Sequence, residues 1–97
     1  MDHILKIYPK NSHFIPDQAQ EESVKDTLNQ LLDSVDDIDC NLYQQPSPVD
    51  EANEHSDIAR YIVDIHMSEN PTLISKEDLT QVSQAMGCDC EQILRSY

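Results

Sequence analysis

The chain has 97 residues and carries 19 acidic side chains against six basic ones, a formal net charge of -13 at pH 7. That length suits one domain with a single modest core, and the charge argues against a surface built to grip nucleic-acid phosphates, which needs clustered Lys and Arg. No segment reaches the apolar length of a membrane span, and Met1-Asp2-His3 lacks the basic opening of a secretory leader, so a soluble, cytoplasmic protein with no membrane partner is expected.

His3-Ile4-Leu5-Lys6-Ile7-Tyr8 is a β-favourable run stopped by Pro9, with Leu5 and Ile7 on one face and Lys6 and Tyr8 on the other. It reads as a first strand. Asp17 followed by Gln20 makes a variant capping box, after which Val24, Leu28, Leu31 and Val35 recur at helical spacing. The expectation is a principal helix over residues 18–36.

Ile38, Cys40 and Leu42 alternate with polar neighbours, giving a second strand before the Pro46-Ser47-Pro48 break. Residues 46–57 form a polar, acidic connection. The run from Arg60 to Met67 is ambiguous because Ile58 just before it, Ile62 and Ile65 also fit a helix, but the β-branched content favours a third strand. Tyr61, Val63, Ile65 and Met67 then share one face, and Arg60, Asp64 and His66 make the other mainly polar.

Ser75 and Asp78 open a helix whose buried stripe is Leu79, Val82 and Met86, and Gly87, the only glycine, stands where a left-handed C-terminal residue is needed. Asp89 caps a last short helix carrying Ile93 and Leu94. The expected architecture is a single acidic α+β domain over residues 1–97, β-α-β-β-α-α. A small three-stranded sheet is covered by one helix, and a C-terminal helical pair at 75–97 resembles a helix-turn-helix. Asp89 and Glu91 against one Arg95 argue that this pair is scaffold rather than a DNA reader, so no direct nucleic-acid binding is expected.

Cys40, Cys88 and Cys90 are an odd set that does not fit a secreted disulfide framework. Reduced thiols follow, with Cys40 and Cys88 as small core residues and Cys90 incidental. Joining His66 to Cys88 and Cys90 in a zinc site lacks the usual ligand spacing and a fourth ligand, so no metal and no cofactor are assigned. No nucleophile elbow, phosphate-binding loop or metal-binding helix accompanies the dispersed His3, His13, His55 and His66, so no catalytic residue is selected and a non-enzyme is expected.

Function must then come from the acids. On the principal helix, Glu22, Asp26, Asp33 and Asp37 fall within about 60° of one another at 100° per residue, opposite the apolar stripe. Asp50, Glu51, Glu54 and Asp57 form a second cluster that contains no Lys or Arg. A merely solvated surface would mix signs. In size, charge and carboxylate rows the chain resembles small acidic DNA-mimic inhibitors, including phage-encoded anti-CRISPR and anti-restriction proteins. The resemblance implies binding to a basic nucleic-acid-binding protein or complex, such as a CRISPR surveillance complex, in the host cytoplasm. The two acidic rows would bind the partner, with Tyr43 adding shape specificity. The rival readings are a helix-turn-helix transcriptional regulator and an acidic immunity or antitoxin protein.

Overall fold

The computed structural model describes residues 3–11, 13–32, 35–43, 60–67 and 72–96. Its elements run β1 (His3–Pro9), α1 (Gln18–Leu31), β2 (Asp37–Tyr43), β3 (Arg60–Met67), α2 (Lys76–Met86) and β4 (Cys90–Ser96). The four strands form one sheet in the order β2-β3-β1-β4, every neighbouring pair antiparallel. This is the split-βαβ, or ferredoxin-like, arrangement.

Strand alternation sorts the sheet into two faces. Leu5 and Ile7 of β1 and Tyr61, Val63, Ile65 and Met67 of β3 join Val24 and Leu28 of α1 and Val82 and Met86 of α2 in one buried cluster. Both helices therefore cover the same face. The other face carries Lys6, Tyr8, Tyr43, Arg60, Asp64 and His66, placed there by the register that sets Lys6 opposite Asp64 and Tyr43 opposite Arg60.

The local signals act as chemistry requires. Asp17 Oδ1 accepts from the Gln20 N–H at 2.8 Å while Gln20 Oε1 accepts from the Asp17 N–H at 2.9 Å, a complete capping box. Ser75 Oγ accepts from the Asp78 N–H at 3.2 Å and opens α2. Gly87 ends α2 at φ 94°, the left-handed conformation that a residue with a Cβ adopts at a cost.

Two expectations are corrected. The sheet has four strands rather than three, and the C-terminal helical pair does not form: α2 is followed by β4. That removes the second helix on which the helix-turn-helix reading of 75–97 depends. The cause is non-local, because β1 pairs with β3 along one edge and needs a partner for the backbone groups of its other edge, which β4 supplies from His3↔Ser96 to Pro9↔Cys90. Ile93 and Leu94, adjacent in sequence, serve opposite faces of that strand instead of one helical stripe.

The principal helix also stops at Leu31, short of residue 36, and Leu32 is extended at φ -119° and ψ 126°. No basic residue occupies its last turn, while Asp33, Asp36 and Asp37 follow in sequence. Carboxylates at a helix C-terminus oppose its dipole.

Candidate partner-binding surface

Glu22 and Asp26 are exposed on α1, one turn apart and opposite the buried Val24 and Leu28. Their axial separation is about 6 Å at 1.5 Å per residue. Asp37 does not continue their row, because it lies in β2, where its Oδ1 accepts from the Ile38 N–H at 2.9 Å. Asp33, Asp50, Glu51, Glu54 and Asp57 lie outside the described residues. Among the described residues the exposed acids of α1 and the β2 region are thus a pair on α1 and a separate group at the start of β2, where Asp36 just before the strand and Asp37 and Asp39 within it are all exposed. Beside the second group is a hollow of ≈ 220 Å³ lined by Lys25, Asn29, Val35, Asp36, Asp37 and Ile38. Asp39 Oδ2 lies 3.2 Å from His66 Nε2.

Tyr43 is half-buried and occupied within the protein. Its hydroxyl donates to Asp64 Oδ2, which also accepts from Asn41 Nδ2 at 3.1 Å. The other carboxylate oxygen, Asp64 Oδ1, takes Lys6 Nζ at 2.7 Å, and that ammonium lies 5.4 Å from the centre of the Tyr43 ring. Beside it the Arg60 guanidinium stacks 4.9 Å from the Tyr8 ring centre, and the Tyr8 hydroxyl donates to Glu91 Oε2 at 3.2 Å. Lys6, Asp64 and Arg60 are 3%, 4% and 5% exposed. Burial of this kind requires charges to be paired, because the desolvation penalty of a lone ion is several kcal/mol or more.

The network decides what the surface displays. All six cations of the chain lie among the described residues, and Lys6 and Arg60 are withdrawn into the sheet. Among the described residues only Lys10 and Lys76 remain as exposed Lys or Arg side chains, Lys25 and Arg95 being half-buried. Glu22, Asp26, Asp36, Asp37 and Asp39 are exposed on one side of the chain order, and Glu77, Asp89 and Glu91 on the other. Among the described residues the surface is therefore more one-sided in charge than their composition.

A second network joins the layers. The Tyr61 hydroxyl on β3 donates to Glu21 Oε1 on α1 at 3.0 Å, with the half-buried Cys40 of β2 on the same face of the sheet. Burial, then the Cys40 and Glu21 neighbours, pushes the Tyr61 hydroxyl well above its ordinary range, and burial also raises Cys40. Burial pushes Cys90 up to about 12 and raises Cys88 as well. Cys90, expected to be incidental, belongs to the core, whereas Cys40 and Cys88 are half-buried beside it.

Sequence reasoning missed the buried Lys6–Asp64 pair. The available signal was one cation and one anion on the polar faces of two β-favourable runs, the first and the third. No helix of the described residues is long and apolar enough to cross a membrane. Comparison of the chain with family models, with curated proteins and with solved structures finds no match.

Proposed function

We infer that the protein is a non-enzymatic inhibitor that occupies the basic nucleic-acid-binding surface of a partner protein or complex, presenting carboxylates in place of phosphates. An anti-CRISPR protein that blocks target-DNA binding is its most concrete form. The observation that carries this reading is the disposition of charge. A chain of net charge -13 turns two of its six cations into the sheet, leaving carboxylates on α1 and β2 with few cations to neutralise them. One-signed fields of this sort speed association with an oppositely charged groove and repel nucleic acid. The absence of a second C-terminal helix takes away the geometric basis of the regulator reading.

The test is affinity capture on the immobilised protein from extracts of a bacterial host, followed by a wash with duplex DNA. The reading expects a nucleic-acid-binding protein to be retained and the DNA to elute it. Retention of a partner that still holds its DNA contradicts it.

A further inference from the structure

The sheet ends on two edges, β2 and β4, and they differ in charge. β2 carries the exposed Asp37 and Asp39 and no cation between Asp37 and Tyr43. β4 reads Cys-Glu-Gln-Ile-Leu-Arg-Ser, with one charge of each sign, Glu91 and Arg95, set symmetrically about Ile93. Among the described residues no strand pairs with its outer side. A strand edge of this kind is a template for another strand.

The ladder fixes which backbone groups of β4 face outward. The Lys10 N–H donates to the Asp89 carbonyl at 2.8 Å, one position beyond the Pro9↔Cys90 pair that ends the β1–β4 register. Hydrogen-bonded pairs alternate along an antiparallel ladder, so Glu91, Ile93 and Arg95 direct their N–H and C=O groups at β1, while Gln92 and Leu94 direct theirs away from it. The Cys90 N–H obeys the same alternation, since it donates to Ser83 Oγ at 3.1 Å. The side chains of Glu91, Ile93 and Arg95 stand on the helix-free face, opposite Tyr8, Lys6 and Ile4.

We propose that β4 pairs antiparallel with β4 of a second copy of this chain, about a two-fold axis at Ile93, so that Glu91 of each copy lies opposite Arg95 of the other. Gln92 then exchanges both backbone hydrogen bonds with Leu94 of the second copy on either side of the axis, and the four strands of each copy join in one continuous sheet. Glu91, Ile93 and Arg95 fall at the positions between those bonds, where opposing side chains approach most closely and opposite charges attract. Shifting the register by two residues keeps the backbone bonds but loses both charge pairs and sets a charge against Ile93. Both charged groups have capacity for the contact. Glu91 Oε2 accepts from the Tyr8 hydroxyl at 3.2 Å, but a carboxylate offers about four lone-pair sites, and a guanidinium carries five donors. Two copies of β2 would bring only carboxylates together, so the charge selects β4.

Sedimentation equilibrium of the intact chain over a concentration series is expected to show a monomer–dimer equilibrium. Glu91→Arg makes the chain less negative, which by itself eases the approach of two acidic copies. It nevertheless sets a second guanidinium against Arg95 and should raise the dimer dissociation constant on the order of tenfold. Adding Arg95→Glu exchanges the two signs and should restore the parent value, with circular dichroism reporting the folding of each variant. Ile93→Cys tests the register independently. Cα atoms ~4.5 Å apart across the axis lie within the span of a disulfide. Diamide, which takes up the two thiol hydrogens, should therefore link two copies of Ile93→Cys much faster than it links the parent, whose thiols are Cys40, Cys88 and Cys90. Four results overturn the proposal: an intact chain that stays monomeric at roughly millimolar concentration, a folded Glu91→Arg that dimerises as tightly as the parent, a folded double variant as weak as Glu91→Arg, or Ile93→Cys that links no faster than the parent.

Discussion

Lys6 and Asp64 face each other across the β1–β3 pair, Nζ to Oδ1 at 2.7 Å, on the side of the sheet away from the helices. The pair is nine-tenths or more buried at both ends. It therefore removes a cation from the surface, ties the two central strands together directly, and joins β2 to them through Asn41 and Tyr43.

Asp64→Ala leaves the Lys6 ammonium buried without its counter-ion and should cost about 3–5 kcal/mol, the range for breaking one side of a buried pair. The double change Lys6→Met with Asp64→Leu removes one charge of each sign, keeps the net charge at -13, and should recover most of that loss. Urea unfolding of the two variants measures both effects. Because the pair is internal, the double variant should also bind the partner as the parent does.

Glu22→Lys and Asp26→Lys reverse exposed charges on α1 without touching Val24 or Leu28. Thermal melts should change little. Association with a basic partner should slow on the order of tenfold as attraction becomes repulsion, read by stopped-flow or surface binding kinetics. An unchanged association rate for the folded double variant would move the contact away from this helix face.

Gly87→Val should destabilise the fold by about 1–3 kcal/mol, the cost of holding a non-glycine residue in a sparsely populated backbone region. Its φ is 94°, and an added Cβ would meet Gln20 Nε2 at 2.6 Å. Gly87→Asn, which tolerates the left-handed conformation better, should lose less. Chemical denaturation ranks the two.

Gln92 separates a strand from a helix at the C-terminus. An exposed helical Gln92 would be replaced by Ala almost neutrally. In β4 its Oε1 instead accepts from the Ile74 N–H at 2.9 Å and its Nε2 donates to the Ile74 carbonyl at 2.7 Å. Gln92→Ala should therefore cost about 1–3 kcal/mol, since two part-buried backbone groups lose their partner. A melting temperature equal to that of the parent would contradict this clamp.

Tyr61 sets an alkaline limit. Its hydroxyl is held above its ordinary value in the folded chain by burial, so the folded state keeps a proton that the unfolded state releases near pH ~10. Stability must fall as pH rises above that point and is unaffected by this group below it. Denaturation midpoints measured on either side of pH ~10 should show the decline, and Tyr61→Phe should flatten it.

What was legible in the sequence follows from the range of the interactions involved. The first three strands, the start of α1, the whole of α2 and the turn at Gly87 rest on alternation, helical spacing and caps, which are local. β4 was not legible: Ile93 and Leu94 side by side satisfy a helical stripe as readily as the two faces of a strand, and only the open edge of β1 decides between them. The end of α1 lacked a glycine or proline stop signal, so Asp37 was counted with Glu22 and Asp26 although it belongs to β2. Lys6, Asp64 and Tyr43 each read as polar-face residues. Their union depends on register across three strands, which no window of the sequence contains.

The most direct test of the charge-mimicry account is the dissociation constant of the captured partner measured across ionic strength, from roughly 50 to 200 mM salt, with labelled duplex DNA present as competitor. The account predicts a steep loss of affinity as salt rises, and mutual exclusion of the protein and DNA at every ionic strength. Affinity that stays flat with salt, or a ternary complex in which the same groove holds DNA and the protein together, contradicts it.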